Sequence, residues 1–402
     1  MKNKGVLLLC LLLTGCASDR CYKGILHAHS LWSDGNVPPE EAVAWYKDRG
    51  YHFMSLTDHN QLQTDTNRWK KVTGERWSRE KVAYVRLKTF AELAAGFNES
   101  GRFLLLPGHE ANRFVRGIQA HLNVINTDRV FLIPNGMQTS DEAFSRVWDD
   151  AETYARLEQR NMLLMVNHPD WRYFDIPPEV LIRNPKICFY ELCNADGGPV
   201  FEPHPLWYKP DKYFDIVNAF RIEDGFPPVY GIGTDDTHHY RPGDTGYSRP
   251  GHAWVSVFAR KLTADAILDA MKAGRFYVST GVELGKIDFD GSILKVKVAA
   301  ISGVNYEIKF ITTRRGFDRT SEKFVDPESG KKPAREGIHY SDDIGRTVRC
   351  VKGVSAEYKL APDDLYVRAV IVSDRKPENK ASNEPEFQTA WTQPFVPGKA
   401  VR

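Results

Sequence analysis

Two histidines near the start of the chain have the spacing of a metal-binding pair. His27 and His29 stand two residues apart, so on an extended strand both imidazoles point to the same face. On its own such a pair is a weak indication, because surface and core histidines also occur at this spacing. A carboxylate follows closely, since Ser33-Asp34-Gly35 predicts a tight turn that carries Asp34. The pair and the turn together mark a candidate metal site.

Further residues of metal-ligand type follow short apolar runs that are typical of strands. The segments that end these runs are Thr57-Asp58-His59, Gly108-His109-Glu110, Asn167-His168 and Asp235-Asp236-Thr237-His238. In a parallel α/β architecture, side chains at the carboxyl ends of the strands gather at one rim. We therefore expect four separate strands to bring these ligands together.

The elements that position these residues belong to two regions of different character. Over about 23–281, strand-like runs such as Phe53 to Leu56 alternate with helical stretches such as Glu40 to Arg49, which is typical of an α/β domain. Residues 283–402 alternate apolar and polar side chains instead, which predicts a small antiparallel β domain of sandwich type. Within that region we expect the polar stretch 314–346 to be an extended loop.

Nine residues form an array that resembles the PHP superfamily, named for polymerase and histidinol phosphatase domains. The array comprises His27, His29, Asp34, His59, Glu110, His121, His168, Asp236 and His238. The matching stretches are Leu26-His27-Ala28-His29-Ser30, Ser33-Asp34-Gly35, Ser55-Leu56-Thr57-Asp58-His59, Pro107-Gly108-His109-Glu110 and Asp236-Thr237-His238. Chain order, strand placement and residue type agree with the superfamily over about residues 23 to 281.

The resemblance implies a distorted (β/α)7 barrel with two or three divalent metals at the rim, followed by the β domain. By this resemblance one metal is held by His27, His29, Glu110 and Asp236. A second metal shares Glu110 and adds His121 and His168. A third metal takes Asp34, His59 and His238. Either Asp235 or Asp236 could be the aspartate ligand of the first metal. We favour Asp236 because it gives the D-x-H spacing with His238.

The donor set points to hydrolysis. Mixed imidazole and carboxylate ligands suit zinc, manganese or iron rather than calcium or a thiolate-bound structural zinc. A carboxylate that bridges two metals lets them share a hydroxide, because coordination lowers the pKa of bound water to about 7. This metal-bridging hydroxide would attack the phosphorus of a small anionic phosphate ester, without a serine or cysteine nucleophile. We therefore predict a metal-dependent phosphoesterase.

Two other functions fit the same residues. The hydroxide would also attack a carboxylic ester or a carbamate, and the resemblance to the superfamily includes such hydrolases. A lipid-anchored binding protein would instead use the β domain to hold a glycan or a partner, with structural metals. The complete ligand set argues against this second alternative, because a decayed site would be expected to have lost ligands.

Two residues outside the ligand set have predicted supporting roles. Asp58 precedes His59 and points to the opposite face of the strand, so we expect it to orient a neighbour rather than bind metal. Arg113 stands three residues beyond Glu110, and its planar guanidinium would bind two phosphate oxygens of a substrate.

The first residues are typical of a bacterial export signal. Lys2 and Lys4 precede an apolar run, Val6 to Leu13, that is too short to span a bilayer. Leu13-Thr14-Gly15-Cys16 resembles a lipobox, in which the cysteine is lipidated and becomes the first mature residue. The predicted divisions are a signal peptide at 1–15, a lipidated tether at 16–22, a hydrolase domain at 23–282 and a β domain at 283–402. The lipid alone would attach the chain to a bacterial membrane. The chain would lie outside the cytoplasm, on the periplasmic or the cell-surface face.

Charge and cysteine content add limits. Removing Lys2 and Lys4 with the signal peptide leaves 52 of the 54 basic residues against 52 acidic ones. A formally neutral mature chain argues against extended nucleic-acid binding. Export permits a disulfide but no spacing requires one among the cysteines beyond Cys16, which are Cys21, Cys188, Cys193 and Cys350.

Overall fold

The structure, a computed structural model, describes residues 19–72, 83–194, 209–241, 243–244, 248–326, 335–378 and 385–401. Its strands are β1 (Arg20–Ile25), β2 (Phe53–Leu56), β3 (Trp69–Val72), β4 (Ala83–Arg86), β5 (Leu104–Val115), β6 (Ile118–Ile125), β7 (Leu163–Val166), β8 (Phe189–Asn194), β9 (Tyr230–Thr234), β10 (Trp254–Ala259), β11 (Phe276–Ser279), β12 (Leu284–Phe289), β13 (Ile293–Val298), β14 (Tyr306–Thr312), β15 (Ser321–Asp326), β16 (Arg335–Tyr340), β17 (Arg346–Lys352), β18 (Ser355–Lys359), β19 (Arg368–Ser373) and β20 (Thr389–Thr392). Its helices are α1 (Pro39–Asp48), α2 (Phe90–Phe97), α3 (Ser140–Leu157), α4 (Trp171–Phe174), α5 (Pro178–Arg183), α6 (Pro210–Glu223) and α7 (Ala264–Lys272).

A run of neighbouring strands forms the wall of a distorted barrel. The order is β9-β8-β7-β6-β5-β2-β1-β10-β11, in which β1, β2 and β5 are parallel, as are β7, β8 and β9. β9 also lies against β11, since a Cβ on Gly233 would stand 2.5 Å from Val278 Cγ1. The wall therefore closes on itself, and the predicted α/β architecture is confirmed.

Two strands run against the rest, so the barrel is mixed rather than all parallel. β10 is antiparallel to β1, and β6 is antiparallel to both β5 and β7. The chain reverses after β5 in a two-residue turn, where Arg116 and Gly117 both have positive φ, 49° and 82°. Turns of this kind match the twist of the paired strands and favour glycine. Because β2 ends opposite Pro107, the β5–β6 hairpin extends beyond the rim.

The end of the barrel opposite the rim is closed by α7. This helix joins the end of β10 to the start of β11, and the Thr263 side chain caps it by accepting a hydrogen bond from a first-turn amide. Ile267 and Met271 of α7 pack in one buried cluster with Phe53 of β2 and Ile232 of β9. The strands are thus held together at the end remote from the predicted ligands.

The C-terminal strands are antiparallel, as predicted. β11 pairs with β20, and the sheet continues through β19, β14 and β17, while β12, β13 and β18 form a second sheet. The expectation of a loop over 314–346 was wrong, because β15 and β16 pair as a hairpin within it. Tyr340 of this hairpin packs edge-on against Phe220 of α6. A tertiary contact of this kind stabilises the two strands, although the polar sequence of this stretch does not predict them.

A buried ion pair joins the C-terminal sheet to the barrel. The Asp215 carboxylate of α6 accepts hydrogen bonds from Arg368 Nε at 2.8 Å, from Arg368 Nη2 at 2.6 Å and from Tyr366 Oη at 2.8 Å. Asp215 and Arg368 are both buried. Arg368 Nη1 also lies 3.0 Å from the Asp211 carboxylate, which is partly exposed, so the loss of Arg368 would leave Asp215 buried without this counter-charge.

The N-terminal predictions fall on residues that the structure does not describe, since Cys16 and the predicted signal peptide precede residue 19. No helix in the described part of the chain is both long and apolar enough to cross a bilayer. No disulfide joins any of the described cysteines, which are Cys21, Cys188, Cys193 and Cys350.

Replacing Arg368 by methionine should destabilise the fold, because the Asp215 carboxylate would stay buried without its partner. We expect the free energy of unfolding, measured by urea denaturation, to fall by about 3–5 kcal/mol. Arg314→Met is the matched control, since Arg314 forms an exposed pair with Asp363 and its loss should change stability little. Equal destabilisation by the two variants would contradict the role of the buried pair.

Candidate metal centre

The nine predicted ligands lie together at the rim of the barrel. They form three groups, and within each group the ligand atoms lie within 4.8 Å of one another. The first group is His27, His29 and Asp236, the second is Glu110, His121 and His168, and the third is His29, Asp34, His59 and His238. His29 belongs to two groups, so the cluster is continuous.

Backbone contacts at the strand ends fix the cluster. The His29 amide donates to the Thr237 carbonyl at 2.9 Å, which joins the segment after β1 to the segment after β9. His168 and Asp236 have positive φ, 25° and 50°, a conformation that residues other than glycine seldom adopt. Backbone strain of this kind persists where the surrounding structure enforces it, and it is common at functional sites.

Glu110 is the central carboxylate of the cluster. Its Oε1 atom lies 2.9 Å from His121 Nδ1, while its Oε2 atom lies 3.3 Å from His27 Nε2 and 2.9 Å from His59 Nδ1. Asn167 Nδ2 donates to Oε1 at 2.8 Å and so fixes the orientation of the carboxylate. Because its two oxygens face different imidazoles, Glu110 has the geometry of a ligand that bridges two cations.

Asp236, rather than Asp235, faces the histidine pair. Asp236 Oδ1 lies 3.1 Å from His27 Nε2 and 3.0 Å from His29 Nε2. Asp235 points away from the cluster, where its carboxylate accepts hydrogen bonds from Tyr46 Oη at 2.8 Å and from the backbone amides of residues 251–253. The alternation of neighbouring side chains thus separates the two aspartates.

Asp34 forms the exposed side of the cluster. Its side chain is 56% exposed, with Oδ1 3.4 Å from His238 Nε2 and Oδ2 3.5 Å from His59 Nε2. The turn that carries it is held by Asp58, which is buried and accepts hydrogen bonds from the Ser30 amide at 2.8 Å and Ser33 Oγ at 2.8 Å. Asp58 therefore acts on the cluster through the position of Asp34.

The electrostatics of the cluster favour positive charge. Burial disfavours the charged form of His59, yet the neighbouring Glu110 and Asp34 carboxylates raise its pKa to about 11. Burial would also raise the pKa of Glu110, but His59 and His27 hold it well below its usual range. Carboxylates that hold imidazoles in the charged form would also stabilise a metal cation at the same place.

Three buried atoms at the centre have no hydrogen-bond partner within the described residues, namely His59 Nδ1, His121 Nδ1 and Glu110 Oε2. His59 Nδ1 lies 2.9 Å from Glu110 Oε2, and His121 Nδ1 lies 2.9 Å from Glu110 Oε1, so the atoms converge without forming a hydrogen bond. Buried polar atoms without a partner are costly, whereas imidazole and carboxylate atoms that converge are suitable ligands for a divalent metal. The residues present therefore fit a metal centre.

Glu191 supports the cluster, and the sequence analysis missed it. This buried carboxylate of β8 lies 2.6 Å from His27 Nδ1 through Oε1 and accepts the His168 amide at 2.7 Å through Oε2. Thr234 Oγ1 and Asn194 Nδ2 also donate to it, at 2.8 and 2.6 Å. A carboxylate on one nitrogen of an imidazole directs the other nitrogen towards a metal. Its sequence signal was an acidic residue inside the apolar run 188–192.

Arg113 is not brought to the cluster. Its Nε donates to the Ile133 carbonyl at 2.8 Å, and Nη1 donates to Asn135 Oδ1. The interpretation of Arg113 as a phosphate clamp has no support in this geometry, because β5 continues past Glu110 and residues three apart on a strand point to opposite faces. His109, the neighbour of Glu110, also points away from the cluster, and its Nε2 accepts a hydrogen bond from the Phe131 amide at 3.0 Å.

Several solved protein structures are similar to this chain. No protein-family model matches the chain, and no curated relative matches it either. One neighbour is a two-domain protein from Bacteroides vulgatus that contains a predicted PHP-like metal-dependent phosphoesterase. It is 13% identical, with a TM-score of 0.43, and the match covers 94% of this chain and 96% of that chain.

Two further neighbours cover less of the chain. One is described as a metal-dependent phosphoesterase candidate from Bifidobacterium adolescentis, at 13% identity and a TM-score of 0.34, over 62% of this chain and 95% of that chain. The other is an amidohydrolase from Chromobacterium violaceum, at 15% identity and a TM-score of 0.31, over 55% of this chain and 88% of that chain.

Replacing Glu191 by glutamine should weaken metal binding. The glutamine side chain has one acceptor oxygen, so it cannot accept hydrogen bonds from both His27 Nδ1 and the His168 backbone N–H, as the carboxylate does. We expect the affinity for zinc or manganese, measured by titration calorimetry, to fall roughly 10–100-fold. Glu152→Gln on the exposed face of α3 is the matched control and should leave affinity unchanged. A folded Glu191→Gln protein with the control's affinity would show that Glu191 does not position His27.

Proposed function

We propose that the chain is a metal-dependent phosphoesterase of PHP type, which hydrolyses a phosphate mono- or diester. The observation that carries this proposal is the geometry of Glu110. Its Oε1 faces His121 of the second group, and its Oε2 faces His27 of the first group and His59 of the third. Such a carboxylate would hold two cations close together. The nitrogen and oxygen donor set, with no thiolate, suits zinc, manganese or iron.

Divalent metals bound there would supply a nucleophilic hydroxide at neutral pH and would neutralise charge on a phosphoryl group. The chain's own residues would divide the remaining work. Glu110 would set the spacing of the cations, and Asp236 would hold the histidine pair, with Glu191 fixing the His27 ring. Asp34 and His59, exposed by 56% and 21%, would form the side open to substrate.

The charge balance supports a phosphate ester over a neutral ester. The cluster contains four carboxylates, namely Asp34, Glu110, Glu191 and Asp236. The four negative charges would balance two divalent cations, whereas a third cation would leave the centre positive. A centre loaded with three cations would therefore attract an anionic phosphate ester more strongly than a neutral carboxylic ester or carbamate.

Metal removal should abolish activity, and metal should restore it. We expect the chelated protein to lose hydrolysis of chromogenic phosphate esters and to regain it with zinc, manganese or iron. His29→Ala and Glu110→Gln should each lower kcat/KM by at least about a hundredfold, since each removes a donor from the shared cation sites. Elemental analysis of the same samples should show lost metal.

His52→Gln is the matched control, because His52 lies away from the cluster and accepts the Lys23 amide. It should keep both metal and activity. Loaded protein that cleaves carboxylic esters or carbamates but no phosphate ester would replace the phosphoesterase by the first alternative. Loaded protein inactive on every class would favour a binding protein with structural metals.

We also propose that the mature chain is anchored through lipid on Cys16 at the extracytoplasmic face of a bacterial membrane. The lipobox-like sequence before Cys16 supports this anchor. Cys16→Ser should convert the protein from a membrane-pelleted form to a soluble one, as measured by fractionation and by the mass of the N-terminal peptide. An unmodified Cys16 in the mature wild-type chain would contradict the anchor.

A further inference from the structure

A basic groove of about 410 Å³ lies on the C-terminal β region. Its charged lining comprises Lys286, Lys295, Lys297, Arg349 and Glu357. Lys295 and Lys297 point to the same exposed face of β13, whose intervening residues are buried. Asp288 lies beside the groove, 3.5 Å from Lys286, so four cations stand against two carboxylates and the surface is positive.

The pairing of β12 with β13 places two of these cations against each other. β12 and β13 pair so that Lys286 stands directly opposite Lys297, and like charges in that position destabilise a sheet. Lys286 has Asp288 at 3.5 Å, and Lys295 has Glu357 at 3.7 Å. Within the described residues, Lys297 and Arg349 form no ion pair. An anion bound in the groove would offset this repulsion.

The groove adjoins the start of the described chain. A second cavity of about 300 Å³ shares Lys286 with it and is also lined by Asp19 and Arg275. Asp19 is the first described residue, and its carboxylate lies 3.3 Å from Arg275 Nη1 and 3.9 Å from Arg260 Nε. The N-terminal segment thus begins at the positive surface.

The length of the tether places this surface near a membrane. Cys16 is three residues before Asp19, and three extended residues span at most about 11 Å. Electrostatic interactions at physiological salt extend over about 8 Å. With lipid on Cys16, Asp19 and the cavity that it lines together with Lys286 would therefore lie close to the headgroups.

We infer that the basic face formed by Lys286, Lys295, Lys297 and Arg349 binds the phosphates of anionic phospholipid headgroups in the membrane that carries the anchor. The location depends on the proposed anchor, whereas the binding surface does not depend on the proposed hydrolysis. Contact at this face adds a second attachment to the lipid, since one acyl anchor and a basic surface together hold a protein more firmly than either alone.

The test uses the full mature chain with Cys16→Ser, so that the surface acts without the lipid. It should float with vesicles of phosphatidylglycerol and phosphatidylethanolamine, not with vesicles of phosphatidylcholine, and high salt should release it. The double variant Lys286→Gln, Lys297→Gln should bind the anionic vesicles about 25-fold more weakly, which is about fivefold for each charge. Hydrolysis of a soluble chromogenic ester should be unchanged in that variant.

The double variant Lys70→Gln, Lys88→Gln is the matched control, because both lysines lie at the rim of the barrel. Lys70 Nζ donates to the Ser33 carbonyl, and the Lys88 carbonyl accepts a hydrogen bond from Trp32 Nε1. It removes the same charge and should bind anionic vesicles as the parent does. Loss of binding in this control, with none in the Lys286 and Lys297 variant, would overturn the inference and place the rim against the membrane. Absence of anionic vesicle binding in the parent would also overturn it, whatever the mass of Cys16 shows about the anchor.

Discussion

The contact between the buried Glu110 carboxylate and the imidazoles around it sets a requirement that the rest of the barrel meets. A carboxylate removed from water needs positive charge and hydrogen-bond donors in place of hydration. The positive charge comes from the imidazoles of His27, His59 and His121, and a hydrogen-bond donor comes from the Asn167 amide. These four residues belong to four separate parts of the wall. Their convergence needs a closed, firmly packed barrel, which the contact of β9 with β11 and the packing of α7 provide.

Much of this site could be predicted because its information is local. The spacing of His27 and His29 belongs to one extended segment, and most other ligands directly follow an apolar run. Glu191 could not be predicted in the same way, because its role depends on β8 lying where its carboxylate reaches the segment after β1. An acidic residue inside a buried strand indicates that partners exist, but their identity is a property of the folded wall.

The fold shows the same limit. The alternation of apolar runs and helices predicted the α/β architecture, and the change of pattern near 283 predicted the antiparallel region. The β5–β6 hairpin escaped notice, because its turn depends on two positive φ angles at Arg116 and Gly117 rather than on a conspicuous polar loop. Proximity to Glu110 in the sequence predicts that Arg113 binds substrate phosphate, but β5 continues past Glu110 and directs Arg113 to the Ile133 carbonyl.

The closure of one end of the barrel by α7 has a kinetic consequence. With that end filled by apolar side chains, molecules would enter and leave the centre by the same mouth at the rim. A new substrate would have to wait for the previous product to depart, and a phosphate product would hold to the cations that attracted its parent. Product that accumulates would therefore compete with substrate for the centre and slow turnover.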